Sequence, residues 1–191
     1  MMNKSLAEEK WNSITHAIML GFFLSNCFSN YDSKIIYSVG MSVAMFFSVL
    51  YHASEKINIK AWFRKLDMLS IHIAIAFSGL AYIVKYGDPL YVYPVSTVGV
   101  LGIVYTLHFF EKPYFEKWVP RSYMFFGLLT FVLTFVSIVS STNLQNSYFF
   151  VAGIFIYLTG LLFYVKDMKE WNHMIWHIFV MMGSLIHFFG L

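Results

Sequence analysis

The sequence predicts an all-α integral membrane bundle of seven transmembrane helices with a cytoplasmic N-terminus. Three observations carry that expectation: the apolar composition, the length of the apolar blocks, and the placement of the basic residues. Of the 191 residues, 59% are hydrophobic and 12% charged, far from the balance of a water-soluble domain. The apolar residues gather in blocks of about 20, the length an α-helix needs to cross roughly 30 Å of hydrocarbon. Inside the blocks Phe, Leu, Ile, Val and Met run on without the strict in-out alternation of a barrel strand, which excludes a transmembrane β-barrel.

Taken in order, the apolar runs predict spans at 13–29, 35–53, 67–84, 91–110, 121–141, 148–165 and 173–190. The breaks between them are Asn30 to Lys34, Ser54 to Lys65, Lys85 to Pro89, Glu111 to Pro120, Thr142 to Asn146 and Lys166 to Asn172, each with charges or turn formers. These short breaks leave little room for a soluble domain, so residues 1–191 are expected to form a single transmembrane domain. The polar segment Met1 to Asn12 precedes the first run and no Ala-x-Ala type site follows it, so the first helix is expected to be retained. Cys27, the single cysteine, permits no internal disulfide and sits among apolar residues as a small hydrophobe.

Basic loops stay cytoplasmic. With seven crossings, one side carries Lys4, Lys10, Lys56, Lys60, Arg64, Lys65, Lys112, Lys117, Arg121, Lys166 and Lys169, and the other only Lys34 and Lys85. Eleven against two places the N-terminus in the cytoplasm and Leu191 outside, in a cell membrane. No run of consecutive basic residues suggests a nucleic-acid arm, no protein partner is identifiable, and no internal repeat is visible. Membrane lipid is the expected partner.

Ionisable residues at membrane depth are costly and so are functional candidates. The predicted topology brings His52, Asp67, His173 and His177 to one depth, at the cytoplasmic ends of the second, third and seventh spans. His173 and His177 are four residues apart and project from one helical face. His52 could add a third imidazole from a neighbouring helix, giving the three-histidine pattern of catalytic zinc with a fourth position open. Asp67 could orient or deprotonate a water there, and Ser48, one turn before His52, could hydrogen-bond a ligand or a polarised carbonyl. Spacing and depth leave a second reading open, since a histidine near a membrane interface is often only a hydrogen-bonded amphipathic residue. A His-x-x-x-His pair also arises by accident in a chain with seven histidines.

Three stretches resemble the hemolysin III family and its wider relatives, the progestin and adipoQ receptors, which include the adiponectin receptors. The first is EEKWNSITH, with Glu9, Asn12, Thr15 and His16. The second is SVLYH, Ser48 to His52, followed by FRKLD ending at Asp67. The third and most specific is NHMIWHIFVMMGSLIHFFG, Asn172 to Gly190. The resemblance spans nearly the whole chain and implies a zinc site formed by Ser48, His52, Asp67, His173 and His177. The chain departs from the family pattern after Asp67, where it reads MLSIHIAIAFSGLAYIV, which puts substrate contacts there in question. Glu170 and Trp171 stand where a proline often precedes the last-span motif, a change expected to alter only the start of that helix.

The other histidines are weaker candidates. His187 lies fourteen residues after His173, about 21 Å along a helix, too far to share an ion, and is expected to be a packing contact. His16 is expected either to support the site or to have no catalytic role, and His72 and His108 are expected to be structural. Zinc on three neutral imidazoles lowers the pKa of its water toward ~7 and polarises a carbonyl. The leading expectation is therefore a zinc-dependent intramembrane lipid hydrolase acting on an amide or ester. The resemblance extends to ceramidases and makes a ceramide-like amide one candidate substrate. Two other classes are a cytolytic pore, for which spans four to six offer little polar lining, and a receptor or sensor with structural zinc, for which the short loops offer a protein ligand little to grip.

Overall fold

The computed structural model describes residues 5–142, 144–165 and 171–191. Among the described residues the chain is all-helical, with seven long helices and no strand. These are α1 (Leu6–Asn26), α2 (Asp32–Ala53), α3 (Ile57–Tyr86), α4 (Val92–Phe109), α5 (Phe115–Ser141), α6 (Tyr148–Val165) and α7 (Asn172–Gly190). Two short 3₁₀ turns, Pro89–Tyr91 and Leu144–Ser147, lead into α4 and α6. Lys4, Lys166, Lys169 and Glu170, which entered the sequence argument, and Asn143 in one of the breaks, lie outside the described residues.

Helices α2 to α7 are long and apolar enough to cross a membrane; α1 is not counted among them. The shortfall in α1 has a local cause. Glu8, Glu9, Lys10, Asn12, Ser13, Thr15 and His16 occupy its first half, and only residues 17–24 are continuously apolar. The helix nonetheless begins at Leu6, seven residues before the apolar run. Ser5 caps it by accepting from the Glu8 backbone N–H at 3.2 Å, and Glu8 and Glu9 sit in the first turn, where the helix dipole favours negative charge.

The third span also starts earlier than expected. The break read as Ser54 to Lys65 is helical from Ile57 onward, because Ile-Asn-Ile-Lys-Ala-Trp-Phe-Arg-Lys contains no glycine or proline to stop it. Its basic residues are tied sideways instead of forming a loop. Lys60 pairs with Glu9 at 3.2 Å, Arg64 with Glu116 at 3.2 Å and Lys65 with Glu111 at 2.7 Å. Helix α5 likewise begins at Phe115 and carries Pro120 within it, which costs one backbone hydrogen bond near the helix start.

Helix α3 packs against α2, α4 and α5, and α7 packs against α1, α2 and α6. The core between them is aromatic: Phe23, Tyr37, Tyr82, Phe150 and Phe188 are all buried. Buried hydroxyls bind it across helices, as expected where no water can satisfy them. Tyr37 donates to the Ser184 carbonyl at 3.0 Å and Tyr82 to the His187 carbonyl at 3.0 Å. Ser184 gives its hydroxyl proton to the Val180 carbonyl at 2.7 Å, so Tyr157 is the donor in its 2.9 Å contact with Ser184.

Several helix pairs approach so closely that only glycine fits. A Cβ on Gly153 of α6 would sit 2.0 Å from His187 Cδ2, and one on Gly99 of α4 would sit 2.6 Å from Ala76 Cβ of α3. Gly153→Ala should therefore lower stability by about 1–3 kcal/mol through overpacking, read as a lower midpoint of thermal unfolding in detergent. An unchanged midpoint would mean that α6 and α7 do not meet at His187.

Candidate metal centre

The cluster is built from three helices at one end of the bundle. His52 lies in the last turn of α2, His173 and His177 in the first two turns of α7, and His16 in the polar half of α1. Helix α7 begins sharply because Trp171 takes a left-handed backbone conformation, with φ 71°, just before the first histidine. Such a conformation is costly for a side chain with a Cβ.

One ligand nitrogen from each of His52, His173 and His177 lies within 4.8 Å of the other two. Bonds of 2.0–2.1 Å at tetrahedral angles place zinc-bound nitrogens about 3.4 Å apart. Closing on an ion thus asks for contractions of about 1.4 Å or less, within reach of side-chain rotation. The ring centroids are 5.0 Å apart for His52 and His177, 4.6 Å for His173 and His177 and 5.5 Å for His52 and His173. His52 and His177 are buried and His173 is half-buried, so the three form a pocket of imidazoles withdrawn from water.

The orientation of His52 is set by a carboxylate. Its Nδ1 lies 2.6 Å from Glu9 Oε2, and because an ionised carboxylate only accepts, Nδ1–H is the donor. The lone pair is then on Nε2, which is buried with no hydrogen-bond partner among the described residues. A buried imidazole nitrogen in that state is what a metal ligand requires, and the carboxylate behind it is the usual outer partner of such a ligand. The donor set therefore fits a divalent metal. Glu9 precedes the apolar run that begins at residue 13. Burial raises its pKa, but the hydrogen bond from His52 and the charge of Lys60 outweigh burial and hold it below the ordinary glutamate value.

Ser48 and Asp67 meet each other. Ser48 is buried, one turn before His52 on α2, and donates its hydroxyl to the Asp67 carboxylate on α3. This pair ties α3 to the helix that carries His52. Asp67 is not within ligand distance in the three-histidine group.

His16 joins the cluster from α1. Its Nε2 is in hydrogen-bond contact with His177 Nδ1, and its ring centroid is 4.1 Å from that of His177. Asn12, one turn earlier on the same face, is fully buried, and neither its amide nitrogen nor its oxygen has a hydrogen-bond partner among the described residues. The roles of Glu9 and Asn12 escaped the sequence reading, although the signal was present. Glu9, Asn12 and His16 recur at spacings of three and four, which is one helical face, but spacing alone does not say what that face meets.

The remaining histidines belong elsewhere. His187 Nε2–H donates to the Phe150 carbonyl at 2.9 Å within the aromatic core. Ser122 gives its proton to the Val119 carbonyl, so His72 Nε2–H donates to Ser122 Oγ at 2.9 Å. His108 is exposed.

Similarity to known proteins agrees with this arrangement. The sequence profile of the family described as Haemolysin-III related matches residues 4–188. The chain belongs to that family. It is 27% identical over 206 residues to Hemolysin-3 of Bacillus cereus, covering 98% of this chain and 92% of that protein. It is 27% identical over 202 residues to the Hemolysin-3 homolog of Bacillus subtilis (strain 168), covering 97% and 93%. No solved structure gives a significant match. Family membership, together with the six apolar helices, makes this a membrane-embedded haemolysin-III related protein whose histidine cluster could hold a metal ion.

The split between clustered and structural histidines is measurable. His187→Ala should cost about 1–3 kcal/mol of stability, because the Phe150 carbonyl loses its side-chain donor and a small cavity opens. That loss should be the same with and without added zinc. A loss that appears only with zinc present would move His187 into the metal site.

Proposed function

We propose that this haemolysin-III related protein is a zinc-dependent hydrolase that cleaves an amide or ester in a membrane lipid. The observation that carries the reading is the set of three imidazole nitrogens within 4.8 Å, beside a Ser48–Asp67 pair anchored one turn from His52. In this reading residues 1–191 form one transmembrane domain with seven crossings in the cell membrane. The N-terminus lies in the cytoplasm, as the distribution of Lys and Arg favours.

His52, His173 and His177 would hold the zinc, three neutral donors of the kind that leave a coordination position open. Zinc bound there would supply an acidified water and a Lewis acid for a carbonyl oxygen. The work of the chain's own residues follows from their chemistry. An Asp67 carboxylate oxygen receives the proton of the attacking water and returns it to the leaving nitrogen or oxygen. The Ser48 hydroxyl holds that carboxylate in place and is one turn from His52. The Asn12 amide, buried and without a partner among the described residues, offers its NH₂ donors and its carbonyl acceptor to the polar part of a substrate. The apolar faces around the site suit a lipid that arrives sideways from the bilayer, and a ceramide-like amide is a substrate of the right kind.

Purified protein should contain about one zinc per chain, the stoichiometry of a single three-histidine site. His52→Ala, His173→Ala and His177→Ala should each bring the ratio toward zero. Wild-type protein should release fatty acid from a ceramide-like amide in mixed micelles, lose the activity with a chelator, and regain it with zinc. Full activity in metal-free protein would reject the proposal. The same protein in dye-loaded vesicles should leave the dye inside; rapid release would favour the lytic activity that the relatives' names describe.

A further inference from the structure

Beyond the three imidazoles of the site, the first half of α1 turns polar side chains into the bundle. It carries a face of Glu9, Asn12 and His16, buried or half-buried. Two of those side chains reach a histidine of the cluster. Glu9 Oε2 accepts from His52 Nδ1 at 2.6 Å, while its other oxygen, Oε1, takes Lys60 of α3 at 3.2 Å. His16 Nε2 meets His177 Nδ1.

We infer that Glu9 and His16 are positioning residues that clamp the triad from α1, fixing the tautomers of His52 and His177 so that both turn Nε2 to one metal ion. The inference rests on the zinc reading above and deepens it.

The chemistry of a neutral imidazole forces the pairing. Each ring has one N–H and one lone pair, and without an outer partner the two tautomers exchange, so some rings present a proton where a metal needs electrons. Glu9, an acceptor only, commits the His52 proton to Nδ1. His16 does the same for His177 when its own Nε2 is the acceptor, which places the His16 proton on Nδ1. Lys60 holds the second Glu9 oxygen and thereby orients the carboxylate toward His52. The clamp ties α1 to α2, α3 and α7 at the metal's depth, although α1 supplies no ligand itself. A salt bridge serving stability alone would need no acceptor at a buried Nδ1 whose opposite nitrogen is unpartnered.

The test measures affinity, not turnover. Zinc binding to purified protein is titrated against a competing chelator, and the cobalt-substituted protein is examined by its visible ligand-field spectrum. Outer-sphere substitutions cost 10–100-fold in metal affinity, so Glu9→Ala and His16→Ala should each weaken zinc by about 10–100-fold and shift the cobalt spectrum. His16→Gln, which keeps an acceptor, should recover most of the affinity, and Lys65→Gln, at the Glu111 pair, should match wild type. If the alanine variants do not fold by circular dichroism, Glu9→Gln decides instead. It keeps an acceptor but loses the charge, and it should bind about 10-fold more weakly. Wild-type affinity in Glu9→Ala, Glu9→Gln and His16→Ala would overturn the clamp and leave the metal site standing. Absence of metal binding by wild-type protein would overturn the metal site and the clamp with it.

Discussion

The hydrogen bond from His52 Nδ1 to Glu9 is the contact on which the arrangement of the site depends. It decides which nitrogen of His52 faces the cluster, and it joins the end of α2 to the start of α1. A carboxylate and a buried imidazole are each expensive in an apolar setting; together they satisfy one another and leave a single buried nitrogen, His52 Nε2, open. Lys60, on the second Glu9 oxygen, brings α3 to the same point.

The rest of the bundle holds that end in register. Helix α7 must reach the cluster with His173 and His177 in its first two turns, so its position matters more than that of any other helix. Tyr37, Tyr82 and Tyr157 fix it with hydrogen bonds to the Ser184 carbonyl, the His187 carbonyl and the Ser184 hydroxyl. Such interhelical bonds contribute modestly each, roughly 0.6 kcal/mol on average in a membrane, but three of them fix both the rotation and the depth of the helix. His187 serves that packing role, and the glycine opposite it, Gly153, lets α6 come close enough to receive it.

Polar residues are concentrated where helices meet, and the faces turned to lipid are apolar. Val100, Leu101, Val104 and Leu107 on α4 and Phe125, Leu128, Val132 and Val136 on α5 are exposed, as helices facing hydrocarbon should be. The polar half of α1 is the extreme of that pattern, and it marks the site. A helix with Glu9, Asn12 and His16 turned inward would be a poor membrane span by composition and a good wall for a buried polar cluster.

The sequence by itself determined the helical class, six of the seven apolar spans it predicted and the residue types able to bind a metal, because apolar length and the four-residue spacing of His173 and His177 are local properties. It misjudged where α3 and α5 begin, since charged side chains such as Lys60 and Arg64 look like a loop until their partners on other helices are known. It named His52, His173 and His177 but left open whether they meet. Only the tertiary structure brought their nitrogens together, turned Glu9 onto His52 and placed His16 against His177. Those outcomes depend on how whole helices rotate and pack against one another, and no spacing along a single helix carries that information.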